Sequence, residues 1–362
     1  MKDRLISIDV FRGITIFFMI IVNSPGTWEH VYAPLRHAEW DGMTPTDLVF
    51  PFFVFIVGLS MSFSFRKYDN GDRAKWISKI LRRTALIFLI GLLLNWFPFF
   101  NKGLNELRVF GVLQRIALVY GFAALLIVFV RQRWLPIIFA ILLLLYFGLL
   151  IYFGGENPLS LEDNLVRQLD LFLLGDNHLY HGYGIPFDPE GLLSTLPAVA
   201  TALLGYIVGK KIQAKESTIE KSALLIPIGA LCILVGIGWH HFGFPVNKPL
   251  WSSSYVLVTG GMATLFFSVL IYLVDYLGKT NWFGIFRPFG LNALISYVLS
   301  GVILKILFLI KIGDVNFYTW LSQNVFSNLG PEIGSFMQAL LYTMLIGLFA
   351  WWLYRKQIII KI

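Results

Sequence analysis

The sequence predicts an all-α, polytopic integral membrane protein with about ten transmembrane helices and both termini cytoplasmic. Three observations carry that prediction. Of 362 residues, 57% are hydrophobic, 16% aromatic and only 14% charged, a composition outside the soluble range. Apolar runs long enough to cross about 30 Å of hydrocarbon recur from end to end, separated by mostly short polar gaps. The basic residues collect in alternate gaps, which gives the chain an orientation.

The first span is read at about 5–22. Its start, MKDRLISIDVFRG, lacks a small-residue cleavage site and carries Asp9 and Arg12 inside the apolar run, so it is expected to be retained rather than cleaved as a signal peptide. The following spans are read at about 47–65, 77–98, 109–130, 134–153, 190–209, 222–239, 252–275, 288–310 and 336–354. One face holds Lys2, Arg4 and Arg12, then Arg66, Lys67, Arg73, Lys75, Lys79, Arg82 and Arg83. It continues with Arg131, Arg133, Lys210, Lys211, Lys215, Lys221, Lys279, Arg287, Arg355, Lys356 and Lys361. That is 21 of the 29 Lys and Arg residues, so by the positive-inside rule this face is cytoplasmic. The net charge of +8 is then an orientation signal whose default partner is the anionic lipid surface; it is no argument for nucleic acid.

The other face carries all six histidines, His30, His37, His178, His181, His240 and His241. Its longest loop, about 154–189, is acidic and turn-rich, with Glu156, Glu162, Asp163, Asp170, Asp176, Asp188 and, at its end, Glu190, and a loop of that length points to function or a lid. No internal repeat, low-complexity tract or Gly/Ser linker divides the chain, which reads as a single transmembrane domain over 1–362. The single cysteine, Cys232, sits in an apolar run as filler and can form no intramolecular disulfide.

Chemistry concentrates in LRHAEWDGMTPTDLVFPFF, residues 35–53. Thr44-Pro45-Thr46-Asp47 reads as a helix start, with a threonine capping exposed amides and Asp47 placed where a negative charge suits the helix dipole. Capping leaves His37, Trp40 and Asp41 unexplained. Histidine exchanges a proton near neutral pH, and beside carboxylates at a membrane mouth it can act as base, nucleophile or ligand. Asn23 ends the first span ahead of Ser24-Pro25-Gly26, where its amide can cap structure or donate to a developing oxyanion. Asp9 and Arg12, three apart on one helical face, can pair with each other or meet an anionic ligand. Gln114 and Arg115 enter the fourth span among apolar residues, where a guanidinium needs a partner or an anion.

The blocks DVFRGITIFFMIIVN, HAEWDGMTPTDLVFPFFVFIVG and GVLQRIAL, in that order and spacing, resemble the transmembrane core of the heparan-α-glucosaminide N-acetyltransferase family, its bacterial branch included. FDPEGLLSTLPAVATALLGYIVG, LWSSSYVLVTGGMA and PFGLNALISY extend the resemblance over nearly the whole chain. It implies helices that carry an acetyl group from cytosolic acetyl-CoA to an amino sugar across the membrane, with the family's active-site histidine at His37 and a functional asparagine at Asn23. It also implies a bacterial cytoplasmic (inner) membrane setting. Two departures stand out: lysosomal members have a further luminal amino-terminal domain and one more helix, expected to be absent here, and commonly carry Asn at the position of Asp41. Heparan itself is therefore not carried over as the substrate.

On this reading His37 acts as general base or becomes acetylated itself, Asn23 stabilises the oxyanion, and Asp41 or Asp47 orients the imidazole. Arg12, Gln114 and Arg115 are the candidates for phosphate or pantetheine contacts. The expected partners are acetyl-CoA as co-substrate, an amino sugar or glycan acceptor and the lipid bilayer, without nucleic acid; a homodimer stays open. The rival reading is a sugar or sugar-lipid transporter or flippase with His37 as proton relay. A metal site at His178 and His181, or at His240 and His241, is the weaker alternative, since no cysteine or fixed ligand motif accompanies them and interfacial loop histidines explain the pattern.

Overall fold

The computed structural model describes residues 5–65, 73–100 and 103–360. Among them the chain forms α1 (Ile6–Asn23), α2 (Val49–Ser64), α3 (Arg73–Trp96), α4 (Val112–Phe129), α5 (Leu135–Phe153), α6 (Leu165–Leu174) and α7 (Thr195–Gln213). These are followed by α8 (Thr218–His241), α9 (Ser253–Leu270), α10 (Phe286–Leu291), α11 (Ala293–Leu309), α12 (Phe317–Leu321) and α13 (Pro331–Arg355). The two strands, Lys311–Ile312 and Val315–Asn316, form one small hairpin. Every predicted span falls on one of the longer helices, and α6, α10 and α12 are the short additions.

Seven described helices are long and apolar enough to cross a membrane, which makes the chain an all-α polytopic membrane protein. The other three predicted spans differ for identifiable reasons. Cationic Arg73, Lys75, Lys79, Arg82 and Arg83 occupy the first half of α3. α11 has only 17 residues, because the chain breaks at Asn292 (φ −121°, ψ 41°) and separates α10 from it. α7 mixes Thr, Pro and Gly with its apolar residues, and most of it is buried in protein, where lipid does not demand hydrophobicity. Of the basic positions that orient the chain, Lys2, Arg4, Arg66, Lys67 and Lys361 lie outside the described residues.

The fold contains two compact units. The first comprises Met1–Ala38, Met43–Phe53 and Leu270–Lys361. Here α1 and α10 touch backbone to backbone. A Cβ on Gly13 would sit 1.9 Å from the Phe286 carbonyl oxygen, and one on Gly290 would sit 1.8 Å from that of Asp9, so only glycine fits either position. Phe17 then sets its ring edge-on against Phe286 and Phe289. The exposed amides at the start of α1 are met from far along the chain: Ile6 N donates to Asp275 Oδ1 at 2.8 Å, and Ser7 N reaches both carboxylate oxygens at 3.3–3.4 Å. A carboxylate there satisfies orphan donors and suits the positive end of the helix dipole.

The second unit comprises Glu39–Gly42 and Val54–Val269. Small residues again permit close approach: a Cβ on Gly58 would lie 1.7 Å from the Ala202 carbonyl oxygen, and one on Gly205 would lie 2.0 Å from that of Phe55. The long loop predicted at 154–189 is folded. Asn164 caps α6 by accepting from Arg167 N at 2.9 Å, and an apolar cluster of Tyr146, Leu150, Val166, Phe187, Phe244 and Leu250 lies buried beneath it. Arg108 closes the loop with paired bonds to Asp188 (2.8 Å each) and one to Glu190 (2.7 Å). Burial works against the charge on Arg108, but these carboxylates outweigh it and hold the guanidinium protonated above its ordinary range. Among the described residues no such cation bonds Asp170, on α6. Burial chiefly, then the nearby Asp188 charge, pushes its carboxyl up to about 7 against the pull of the Leu192 amide and of Arg115.

Two outcomes follow from these contacts. Asp275→Ala should destabilise the fold by about 1–2 kcal/mol, and Asp275→Asn by less, read as the thermal unfolding midpoint in detergent. An unchanged midpoint in Asp275→Ala would mean that α1 does not depend on its distant cap. The raised carboxyl of Asp170 favours the protonated folded state. Its stabilising contribution is therefore complete below the ordinary value of 3.8 and is lost as pH rises through about 7. Asp170→Asn should flatten that slope and raise the midpoint above wild type at pH 8.

Candidate active site

The start of α2 organises the segment that the sequence singled out. Pro45–Leu48 forms a 3-10 turn that runs into α2, with Pro45 at its first position and Thr44 in an extended conformation before it. Asp47 is 1% exposed, and a carboxylate that deeply buried must have its lone pairs occupied. Its Oδ2 accepts from Ala38 N at 3.1 Å and Thr44 N at 3.0 Å. Thr44 Oγ1 lies 3.0 Å from the same oxygen and 2.6 Å from the Arg36 carbonyl, so its one proton serves either. The other oxygen, Oδ1, lies 2.6 Å from His37 Nδ1.

The sequence's two readings of Asp47 thus coincide in one group: it begins the helix and it orients the imidazole. A carboxylate facing Nδ1 holds a proton there, which leaves the basic lone pair on Nε2. The His37 side chain is 45% exposed, so the ring is held through Nδ1 while part of its surface is reachable from solvent. Base, orienting carboxylate and accessible ring surface are the ingredients of general-base or nucleophilic catalysis. Asn23 is exposed at the end of α1 in the same compact unit, directly before Ser24, whose hydroxyl donates back to Ile20 O at 2.6 Å.

Asp41 has a different environment. It belongs to the second unit, where its Oδ1 accepts from Asn247 Nδ2 at 3.1 Å while Gly42 N donates to Val246 O at 2.7 Å. Trp40 beside it donates from Nε1 to Leu159 O at 2.9 Å and sets its ring against Tyr183 and Phe187. Within the second unit Trp40 thus packs on the folded loop and Asp41 bonds the turn at 246–247, and Asn247, whose sequence context gives no hint of a partner in the 35–53 stretch, is what sequence reasoning missed.

Of the three residues expected to meet acetyl-CoA, Arg12 belongs to the first unit and Gln114 and Arg115 to the second. Arg12, 25% exposed at its side chain, donates to Gly290 O at 3.1 Å and stands 3.9 Å from Asp9, a loose form of the expected pair. Gln114 is 1% exposed against α3, with its Nε2 unpartnered. Arg115 is fully buried and donates to the carbonyls of Pro189, Gly191 and Ser194 and to Ser194 Oγ, over the face of Trp251. Its guanidinium is thus engaged in shaping the turn that enters α7. The outer-loop histidines are tied locally: His178 Nδ1 bonds the Leu107 carbonyl, His181 Nε2 meets Asp176, and His240 Nδ1 accepts from Val246 N.

The profile of the family described as heparan-alpha-glucosaminide N-acetyltransferase, catalytic, matches residues 4–242, a stretch that contains every candidate site residue. The heparan-alpha-glucosaminide N-acetyltransferases of Homo sapiens and Mus musculus are 30% and 29% identical to this chain over 364 and 363 aligned positions, and each alignment covers 82% of the chain. The chain spans about half the length, 53%, of these relatives. With the match covering most of its sequence, including the segment that carries His37 and Asp47, the chain belongs to the heparan-alpha-glucosaminide N-acetyltransferase catalytic family.

Proposed function

We propose that this chain, acting as a single transmembrane acyltransferase domain, moves an acetyl group from cytoplasmic acetyl-CoA to a glucosamine-type amino sugar on the extracytoplasmic side. The proposal includes ten membrane spans, cytoplasmic termini and residence in a bacterial inner membrane. The observation that supports it most is the His37–Asp47 pair at 2.6 Å, set on a buried carboxylate at the head of α2 inside the family-matched region. The distribution of basic residues supports the sidedness, since it puts His37 and Asn23 opposite the cationic face.

The chemistry runs as follows. The acceptor ammonium gives up a proton, the neutral amine attacks the thioester carbonyl, and the carbon–sulfur bond breaks to release CoA thiolate, which then takes a proton. His37 Nε2 receives the proton of the attacking amine, with Asp47 stabilising the imidazolium that forms. Asn23 donates to the oxyanion of the tetrahedral intermediate. An acetyl-His37 intermediate is the variant of this path that gives ping-pong kinetics. Arg12, whose guanidinium is partly exposed, is the candidate for the donor's phosphates, while Gln114 and Arg115 act through the packing of α4 and the turn before α7. Asp41, the second carboxylate of the 35–53 stretch, is bonded to Asn247.

In sealed vesicles of known orientation, acetyl-CoA on the cytoplasmic side should acetylate an impermeant amino sugar on the other side, while neither CoA nor unmodified sugar crosses. The rate should fall as the outer compartment is acidified, because the attacking amine must be unprotonated; acidifying the inner compartment should do less. Net movement of unmodified sugar would instead support the transporter reading, and acetylation only with both substrates in one compartment would remove the cross-membrane step.

A further inference from the structure

In the second unit the consecutive helices α4 and α5 scarcely touch; both pack instead on α7, which forms the floor of a slot between them. The slot has a volume of about 480 Å³, within the roughly 300–1,000 Å³ of small-molecule sites. Its α4 wall is a single helical face, Phe122, Leu126 and Phe129, and Leu142 lines it from α5. Phe122 and Phe129 are 51% and 61% exposed, so the slot is open at its side to whatever surrounds the helices. From Phe122 to Phe129 that wall runs for about 10 Å at 1.5 Å per residue. Thr195 is the one polar residue of the lining, and its hydroxyl donates to Gly191 O at 3.1 Å, so its proton is already used.

The two ends of the slot differ. Arg115, near the start of α4, bonds residues 189–194, which places that turn at one end, where Leu192 and Leu193 complete an apolar lining. At the other end stands the α4–α5 connection, two residues beyond Phe129. It carries Arg131 and Arg133, both exposed, followed by Trp134 at 47% exposed, and the Arg133 guanidinium lies 5.5 Å over the Trp134 ring. No acidic residue occurs between Glu106 and Glu156, so neither α4, α5 nor their connection offers these arginines a carboxylate. An amphipathic indole beside cations at the end of an apolar helix suits the level of lipid headgroups. A free phosphate would use the arginines and leave the slot empty. A neutral lipid would fill the slot and make no use of the arginines. An anionic phospholipid uses both, and cationic rims between membrane helices are where such headgroups are held.

We propose that this slot is a binding site for an anionic phospholipid, with one acyl chain lying between α4 and α5 and the phosphate held by Arg131 and Arg133. The site stands apart from the acetyltransferase reading, since binding is measured with no acyl donor present. The full chain, purified in detergent, is titrated with dioleoyl phosphatidylglycerol, dioleoyl phosphatidylcholine and glycerol 3-phosphate, and bound molecules are counted by native mass spectrometry. Wild type should hold one phosphatidylglycerol about tenfold more tightly than phosphatidylcholine, and glycerol 3-phosphate far more weakly than either. Replacing the two exposed arginines together, Arg131→Gln with Arg133→Gln, should remove the preference and leave phosphatidylcholine binding as it was. Arg355→Gln with Lys356→Gln removes the same charge from another helix end, where Arg355 lies 5.3 Å over Trp351, and should keep the preference. Leu142→Trp, which fills the slot, should weaken both lipids about tenfold; if that variant does not fold, the arginine pair decides alone. Equal affinity for the two lipids in wild type, or a preference that survives loss of Arg131 and Arg133, overturns the site. So does a preference lost equally with Arg355 and Lys356, which would assign it to net charge. Unchanged lipid binding in folded Leu142→Trp, or glycerol 3-phosphate bound as tightly as the lipid, removes the slot from the account. A lipid-free dimer that Leu142→Trp dissociates would make the slot an interface between copies of the chain instead.

Discussion

A carboxylate with 1% of its surface exposed, set at the mouth of a hydrophobic helix, is the constraint on which the site depends. Asp47 is tolerable there because its oxygens meet two backbone amides and an imidazole, and each of those donors is thereby fixed in turn. Ala38 N fixes the backbone next to His37, Thr44 N fixes the cap of the 3-10 turn, and Nδ1 fixes the ring. The orientation of the His37 ring is obtained as a by-product of starting α2. Removing the carboxylate would leave three donors unsatisfied at once, so the helix start and the ring orientation stand or fall together.

Elsewhere the protein uses charge in the same way, as a clamp on irregular backbone. Arg108 joins Asp188 and Glu190, Arg115 gathers the carbonyls of residues 189–194, and Asp275 meets the first amides of α1. Each clamp works where a helix begins or a loop is buried, which is where backbone groups lack partners. Helix-to-helix contact is achieved by other means, through glycine at positions such as Gly13, Gly58, Gly205 and Gly290, where any side chain would collide with a facing carbonyl. Lipid cannot supply a hydrophobic drive between helices, so close approach and clamped ends do that work.

The helices were legible because hydrocarbon imposes a length and a composition on anything that crosses it. What the apolar pattern could not show is where a run breaks. The stretch read as one span from 288 is divided at Asn292, and the run read from 190 becomes helical only at Thr195, after Arg115 has bent residues 189–194 into a turn. The loop at 154–189 was recognised by its length and acidity, but its folding over a buried apolar cluster depends on partners more than a hundred residues away in some cases, such as Trp40 with Leu159. In the site, His37 and Asp47 were readable from chemistry within one short stretch. Asp41 was read as a candidate to orient the imidazole and Trp40 was left unexplained by capping; their contacts with Asn247 and the folded loop are tertiary and leave no local mark. Arg115 was read as a candidate for phosphate or pantetheine contacts because a buried guanidinium demands a partner or an anion; its two terminal nitrogens bond backbone carbonyls and Ser194 Oγ.

Whether His37 and Asp47 act as one unit is decided by a double-mutant cycle on acetyl transfer. kcat/KM for acetylation of an amino sugar is measured in wild type, His37→Ala, Asp47→Asn and the double variant, with folding checked by thermal midpoint. If the two side chains work as one unit, Asp47→Asn lowers turnover by about 10²–10⁴ and the double variant is no slower than His37→Ala alone. Losses that multiply in the double variant, or near-normal turnover in His37→Ala, would contradict it.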